Sequence, residues 1–270
     1  MADRTPPQVS VLAPAHNEEE SVGPLIREIV AALDGTRRSF EIVVVDDGST
    51  DATAERLRAL LPDEPRLRVI ALTGGSSGRA AGQSAALRAG IEAARGEIVA
   101  MLDADGQNDP AELPRLLDLL ESTGADLVQG DRSAVRQDGP VRSASSWVGR
   151  MARRMLLGDA IRDTGCSLRV MRRAVALALP LEFRGMHRFI PVTVRDLGHQ
   201  VIETPVRHRP RTAGRTKYGV WNRALPALVD CFAVRWMRAR RRPTTWAPLE
   251  ADRPLGARRR PSDRMETAAR

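Results

Sequence analysis

The chain has 270 residues, of which 42% are hydrophobic, and this length and composition are sufficient for one sizeable hydrophobic core. Its few aromatic side chains, four Phe, four Trp and one Tyr, argue against a surface that stacks nucleic-acid bases. The two cysteines, Cys166 and Cys231, are too few for a disulfide framework, so a reducing compartment is expected.

The formal net charge of +8 lies mostly at the carboxyl end of the chain. Residues 235–270 contain eleven arginines against four acidic residues, whereas the preceding body is nearly neutral. This pattern predicts a folded body with a basic tail suited to anionic lipid or nucleic acid. The amino terminus does not resemble a signal peptide and no apolar run reaches 18 residues. A soluble or peripheral protein is therefore expected.

Strand-like and helix-like segments alternate along the chain. Strands are predicted at residues 8–15, 41–45, 68–72, 98–102 and 126–129, with another short strand after residue 165. Helices are predicted at residues 21–33, 51–61, 83–94, 113–121, 141–157 and 172–179, and residues 191–206 have the pattern of helix, glycine turn and strand. Because the strands are continuous apolar runs, the pattern predicts an α/β fold with a mostly parallel sheet and helices on both faces.

Polar loops follow the first four predicted strands. They cover residues 14–18, 46–49, 74–82 and 103–107. Ligands of parallel α/β sheets bind beyond the carboxyl ends of the strands, so these loops are expected to meet at one edge of the sheet. Surface solvation alone does not readily explain four polar loops converging there.

The fourth loop carries the sequence DADGQNDP and is the strongest chemical signal. If the segment stays extended, Asp103, Asp105 and Gln107 share one face, where two carboxylates and an amide can converge on a hard cation. Mg²⁺ or Mn²⁺ suits such oxygens, and no thiolate or imidazole lies nearby in the sequence to favour zinc. The alternative is a solvated acidic turn, because Asp, Gly, Asn and Pro are also common turn residues.

Seven motifs, in this order, resemble a family 2 glycosyltransferase of the dolichyl-phosphate or undecaprenyl-phosphate sugar transferase type. They are PAHNE (14–18), VVDDGSTD (44–51), GQSAALRAG (82–90), DADGQNDP (103–110), DTGCSLR (163–169), MHRFIP (186–191) and RPRTAGRTKYG (209–219). The resemblance implies a glycosyltransferase A-type nucleotide-binding fold and a nucleotide-diphosphate-sugar donor. It also implies a divalent metal, Mg²⁺ or Mn²⁺, and a polyprenyl-phosphate acceptor.

The same resemblance assigns roles to individual residues. Metal binding is expected from Asp103, Asp105 and Gln107. Donor binding is expected from Pro14, His16, Glu18, Asp46, Asp47, Gly82, Asp103, Ala104, Arg211 and Lys217. Catalytic roles are expected for Asp105, Arg132, Asp163, His187 and Arg188. Physically, carboxylates suit ring N–H groups and ribose hydroxyls, and guanidinium groups suit phosphate oxygens.

Three of these assignments have simpler alternatives. Asp47 could instead be a helix cap or a turn former before Gly48. Lys217 is the only lysine beside 41 arginines, which indicates a site that requires a compact ammonium group on a diphosphate, but it also fits one exposed surface lysine. His187 could orient the sugar or the acceptor phosphate, or it could be a structural histidine.

Three domains are predicted: a catalytic domain at 1–219, an amphipathic basic helix at 220–242, and a disordered Arg/Pro-rich tail at 243–270. Basic amphipathic stretches at 141–157 and 220–242 predict a peripheral protein on the cytoplasmic face of an anionic membrane. An enzyme that glycosylates a soluble acceptor remains an alternative. A non-catalytic nucleic-acid-binding module is another, but it is disfavoured by the acidic motif, and no nucleic-acid partner is expected.

Overall fold

A computed structural model describes residues 5–73, 80–133, 150–151, 153–209 and 221–242, with only the backbone described for residues 221–227. Within these residues the core is a seven-stranded sheet in the spatial order β3-β2-β1-β4-β6-β5-β7. The strands are β1 Val9–Ala15, β2 Phe40–Asp46, β3 Leu67–Ala71, β4 Ile98–Met101, β5 Leu127–Asp131, β6 Arg169–Arg172 and β7 Val201–Pro205. Strand β6 runs antiparallel to β4 and β5, and the other pairs are parallel.

Helices cover both faces of this sheet. They are α1 Val22–Asp34, α2 Thr53–Leu60, α3 Gln83–Ala93, α4 Leu113–Thr123, α5 Arg173–Leu177, α6 Ile190–Asp196 and α7 Trp221–Arg240. Short 3₁₀ turns precede α4 at Pro110–Glu112 and α6 at Met186–Phe189. Residues 153–157 are also helical. The α/β fold with a mostly parallel sheet, predicted from the sequence, is confirmed.

Successive side chains of β1 point to opposite faces of the sheet, and each face packs against its own hydrophobic layer. Val9 and Val11 face a layer formed with α1 and α4, whereas Leu12 faces a layer formed with α3, α6 and α7. Helix α3 packs especially close to the sheet. A Cβ placed on Gly90 would lie 2.0 Å from Cδ1 of the fully buried Leu12, so a larger residue would force that side chain to move. This packing holds the second half of α3 close to β1.

The last helix packs onto the same layer as α3. Cys231 and Val234 are buried within that layer. Arg238 pairs with Asp196 on α6 at 2.5 Å and donates to the carbonyl oxygen of Leu157. The compact unit accordingly runs from Met1 to Arg238. The three-part division with boundaries at 219 and 242 stays a prediction.

Several sequence predictions concern residues outside the described ranges. They include the loop residues 74–79, most of the predicted helix at 141–157, the motif residues 210–219 and the tail at 243–270. Among the described residues, no helix combines the length and the apolar character needed to cross a bilayer.

Candidate active site

The loop after β2 is tied to the start of α3 through Asp47. Its two carboxylate oxygens accept hydrogen bonds from the backbone N–H groups of Ala81 and Gly82, at 2.7 and 2.8 Å. His16 Nδ1 lies 2.8 Å from the carbonyl oxygen of Asp47, so Nδ1 is the protonated nitrogen that donates. Three predicted donor-binding residues, His16, Asp47 and Gly82, are therefore brought into one contact network.

The loops after β1 and β2 are also tied to each other. Asn17 adopts a left-handed backbone conformation, with φ of 57°, and its side-chain oxygen accepts from Thr50 N–H at 2.7 Å. The Glu18 N–H donates to Thr53 Oγ1 at 2.8 Å. Asp46 is buried, and its carboxylate accepts from the Ser49 backbone N–H at 3.1 Å. Because both loops are held by side chains of the other, this edge of the site is preorganised for a ligand.

Pro14, Asp46 and Ala104 mark the strand ends around this edge. Pro14 lies in β1 opposite Val45, one residue before the pairing of Ala15 with Asp46. Ala104 is buried two residues beyond Leu102, whose N–H bonds to the carbonyl oxygen of Leu12. The predicted convergence of these loops at one sheet edge is thus confirmed for the described residues.

Asp103 is oriented by two neutral donors. Gln83 Nε2 donates to its Oδ1 at 2.7 Å, and the Ser167 side chain also hydrogen bonds to its carboxylate. The Ser167 hydroxyl in turn accepts from Asn108 Nδ2 at 2.7 Å. Burial and the nearby charge of Asp105 raise the pKa of Asp103. Gln83, Ser167 and Asn108 were not predicted as site residues, although each lies within one of the seven motifs.

The loop after β4 is not extended beyond Asp103. Ala104 and Asp105 form a turn, Gly106 has φ of 74°, and Asp105 Oδ1 accepts from the Gln107 backbone N–H at 3.1 Å. Asp103, Asp105 and Gln107 therefore do not share one face of an extended segment, and this prediction was wrong. The carboxylates of Asp103 and Asp105 are nevertheless close enough for the charge of one to act on the other.

This pair fits a divalent cation. No ion pair involving Asp103 or Asp105 occurs among the described residues, and the two bonds to Asp103 come from neutral groups. Among the same residues, no group of three or more His, Cys, Asp or Glu side chains is placed to hold a metal ion. Mg²⁺ characteristically takes one or two protein carboxylates and completes its shell with water and substrate phosphates. The donor set therefore matches such a cation better than a cage built entirely of protein ligands.

Arg132 and Asp163 form a nearly buried ion pair. Arg132 Nε donates to Asp163 Oδ2 at 2.8 Å, and its Nη2 donates to Oδ1 at 3.2 Å. Burial lowers the pKa of Arg132, but hydrogen bonds and charge from Asp163 outweigh it, so the net pKa is raised. Asp103 also acts on Arg132 by charge. Asp163 therefore positions Arg132 near the acidic loop.

His187 contacts the first turn of α3 through Ser84. Ser84 Oγ accepts from the His187 backbone N–H at 3.2 Å and lies 3.0 Å from His187 Nδ1. This geometry lets the hydroxyl proton bond Nδ1, which leaves Nε2–H free to act as a donor. Burial, with the charges of Arg188 and Arg169, lowers the pKa of His187 to about 3. His187 is thus neutral at physiological pH.

Arg188 and Arg209 lie at the margins of the site. Arg188 Nη1 donates to Asp230 on α7 at 3.2 Å, so its guanidinium is engaged with the last helix. Arg209 Nη2 donates to Asp109 at 2.7 Å, and its backbone N–H donates to the Gln107 carbonyl oxygen at 2.9 Å. The chain therefore enters residues 210–219 directly beside the acidic loop. The predicted ligands Arg211 and Lys217 lie outside the described residues.

Comparison with known proteins gives the same family as the motifs. The model of glycosyl transferase family 2 matches residues 10–179. Dodecaprenyl-phosphate galacturonate synthase of Rhizobium johnstonii is 36% identical over 241 residues, which cover 87% of this chain and 69% of the relative. Undecaprenyl-phosphate 4-deoxy-4-formamido-L-arabinose transferase of Pseudomonas fluorescens is 40% identical over 212 residues, which cover 78% of this chain and 60% of that relative.

A solved structure shares the fold. A mannosyltransferase from Pyrobaculum calidifontis, determined with GDP-mannose and Mn²⁺, superposes with a TM-score of 0.61 at 21% identity. The match covers 85% of this chain and 64% of that protein. The fold predicted from the motifs is therefore confirmed.

Proposed function

Because the chain belongs to glycosyl transferase family 2, we propose that it transfers a sugar from a nucleotide-diphosphate sugar to the phosphate of a polyprenyl phosphate. Both relatives described above are named for polyprenyl-phosphate acceptors. One observation carries the proposal. The carboxylates of Asp103 and Asp105 lie close enough to interact by charge, and Arg132 interacts by charge with Asp103. A site with both signs of charge can hold a metal, a diphosphate and an acceptor phosphate together.

The donor is assigned to the edge formed by the first two loops. Pro14, His16, Glu18, Asp46 and Asp47 are proposed to contact the base and ribose, because their loops are already fixed by mutual hydrogen bonds. Gly82 and Ala104 are proposed to line the path of the diphosphate. Arg211 and Lys217 are proposed to contact its phosphate oxygens.

Asp103, Asp105 and Gln107 are proposed to hold Mg²⁺ or Mn²⁺. When bound, such a cation offsets negative charge on the diphosphate leaving group. Gln83 and Ser167 fix the Asp103 carboxylate for this role, since each donates to it.

The acceptor requires positioning more than proton removal. A phosphate monoester oxygen is already ionised at neutral pH, so no general base is required to create the nucleophile. Arg132, held by Asp163, is proposed to offset repulsion between the two phosphate-bearing substrates. Neutral His187 is proposed to donate from Nε2 to a substrate oxygen, with Arg188 keeping its segment attached to α7.

A polyprenyl-phosphate acceptor requires the enzyme to meet a membrane surface, and the exposed residues of α7 support membrane attachment as part of the proposal. Its described outer face exposes four apolar side chains: Leu228, Val229, Phe232 and Trp236. Arg235 and Arg238 lie on the same helix and bond the carbonyl oxygens of Leu156 and Leu157. We propose peripheral attachment to the cytoplasmic face, through this helix and the arginine-rich end of the chain.

Attachment is tested by sedimentation with anionic liposomes. Binding at low salt, weakened when residues 238–270 are removed, supports the proposal, because each cation near an anionic surface contributes about 1 kcal/mol before screening. Absence of sedimentation at every salt concentration would favour a soluble acceptor.

Activity is tested by incubating the protein with radiolabelled nucleotide sugars and undecaprenyl or dolichyl phosphate, followed by extraction into organic solvent. Label in the organic phase that requires Mg²⁺ or Mn²⁺ supports the proposal. Asp105→Ala should abolish this transfer, whereas Asp63→Ala, which removes an exposed loop carboxylate elsewhere, should not. Transfer to water-soluble acceptors alone would refute the polyprenyl-phosphate assignment.

A further inference from the structure

Arg169 is a buried cation at the beginning of β6. Its side chain is among the buried charged groups, with 4% of the residue exposed. The residue pairs in register with Met101 on β4 and with Gln129 on β5, in the interior of the sheet. An arginine is rarely placed so deep in a sheet unless its charge is compensated.

The guanidinium of Arg169 is only partly satisfied. Nη2 donates to the carbonyl oxygen of Cys166, and Nε donates to that of Ser167 at 3.4 Å. Nη1 is buried and has no hydrogen-bond partner among the described residues. Arg169 forms no ion pair with any of the residues that the structure describes. Its positive charge therefore lacks a bonded anion in the ligand-free protein.

Such an arrangement has a free-energy cost. Burial without a bonded carboxylate lowers the pKa of Arg169 to about 10, which still leaves the group cationic at neutral pH. An unpaired buried donor on a charged group is costly, and proteins usually offset that cost with a partner. The two carbonyl contacts account for Nη2 and Nε but leave Nη1 unexplained.

The charges around Arg169 place it within the candidate active site. Asp103 and Asp163 act on it favourably, and Arg132 acts on it unfavourably. Its own charge reaches His187. The three other arginines described around the site already bond carboxylates: Arg132 bonds Asp163, Arg188 bonds Asp230 and Arg209 bonds Asp109. Among the described arginines of the site, Arg169 is thus the one that has no carboxylate partner and retains a buried, unpartnered guanidinium nitrogen.

We propose that Arg169 is an anion-binding residue whose Nη1 donates to a phosphate oxygen of a bound substrate. The inference rests on the proposed function, which supplies two phosphate groups: the diphosphate of the donor and the monoester of the acceptor lipid. Both offer the same charged oxygen, and a guanidinium pairs with either. Binding would give the buried charge its missing anion and connect substrate loading to the loop of Cys166 and Ser167.

The test compares Arg169→Met with Arg172→Met. Both positions lie on β6, but Arg172 is half-exposed and its nearest carboxylate oxygen, on Asp126, is 3.9 Å away. Binding is measured by calorimetry with inorganic pyrophosphate and Mg²⁺, and separately with undecaprenyl phosphate against undecaprenol in the same detergent. Loss of one charge-assisted hydrogen bond corresponds to roughly tenfold to hundredfold weaker binding.

Each arm of the experiment has a defined outcome. If Arg169→Met binds pyrophosphate more weakly than the wild type and Arg172→Met does not, the contact is with the diphosphate of the donor. Weaker undecaprenyl phosphate binding, with undecaprenol binding unchanged, assigns it to the acceptor. Unchanged affinity for both phosphate probes, or an equal loss for undecaprenol, would overturn the proposal.

Two further measurements keep the inference testable. If Arg169→Met does not fold, Arg169→Lys retains the charge but loses the fork, and the same affinity comparison applies. The calorimetry measures binding without turnover, so its result does not depend on the outcome of the transfer assay. A wild-type protein that binds pyrophosphate through Arg169 but transfers no sugar would refute the proposed function and retain this inference.

Discussion

The neutral state of His187 predicts a specific dependence of stability on pH. Its pKa is lowered from 6.5 to about 3 in the folded protein, first by burial and then by the charges of Arg188 and Arg169. Below pH 6.5 the unfolded chain binds a proton that the folded protein does not accept. The stabilising contribution is therefore fully present above pH 6.5 and is lost as the pH falls from 6.5 toward 3.

The magnitude follows from proton linkage. Between pH 7.5 and pH 5, this one group should remove about 2 kcal/mol from the free energy of unfolding. His187→Gln removes the titrating ring and keeps an amide able to bond Ser84. The wild type should consequently lose about 2 kcal/mol more than the variant over this interval.

Urea unfolding followed by tryptophan fluorescence measures both curves. His199→Gln, which removes a more exposed imidazole near Asp126, controls for the loss of a histidine as such. If the free energies of the wild type and His187→Gln fall in parallel between pH 7.5 and pH 5, the ring is not shielded as the structure indicates, and the assigned neutral donor role fails with it.

Three further predictions concern packing, charge and ligand binding. Gly90→Ala should lower the free energy of unfolding by about 1–3 kcal/mol in urea titrations, because the new Cβ would meet Leu12, whereas Gly35→Ala, with open space around it, should change it little. Asp163→Asn should cost about 3 kcal/mol by the same measurement, because Arg132 would lose its buried counter-charge, whereas Asp118→Asn should cost less than about 1 kcal/mol at the surface. A cost for Asp163→Asn no larger than for Asp118→Asn would contradict the buried pair. Lys217→Ala should weaken calorimetric binding of a nucleoside diphosphate far more than of the nucleoside, and equal losses would show that Lys217 does not touch phosphate.

The sequence was informative wherever a signal is local. Runs such as 41–45, which is β-branched except for Glu41, predicted strands because fully buried parallel strands need side chains that are apolar on both faces. The turn residues at 46–49 and 103–107 predicted where those strands end. The acidic pair Asp103 and Asp105 was recognisable for the same reason, since both carboxylates lie within three consecutive positions.

The supporting contacts of the site were not predictable in this way. Ser84 and His187 are 103 residues apart, and Gln83 lies 20 residues from Asp103. Their pairing depends on how helices cross the sheet, which hydrophobic periodicity does not specify. Arg169 shows the same limit, because an arginine at a strand end is normally solvated, and only the antiparallel insertion of β6 between β4 and β5 buries it.

The reversed direction of β6 has a consequence for engineering. Since β5 and β6 are antiparallel, with Gln129 opposite Arg169, the connection between them leaves from and returns to the same sheet edge as the active site. Fluorophores or affinity tags inserted into this connection are expected to disturb substrate binding. The loops at residues 35–39 and 61–66 precede β2 and β3 at the opposite edge. Insertions there should leave the active site intact, which makes them the better sites for surface immobilisation or reporter fusion.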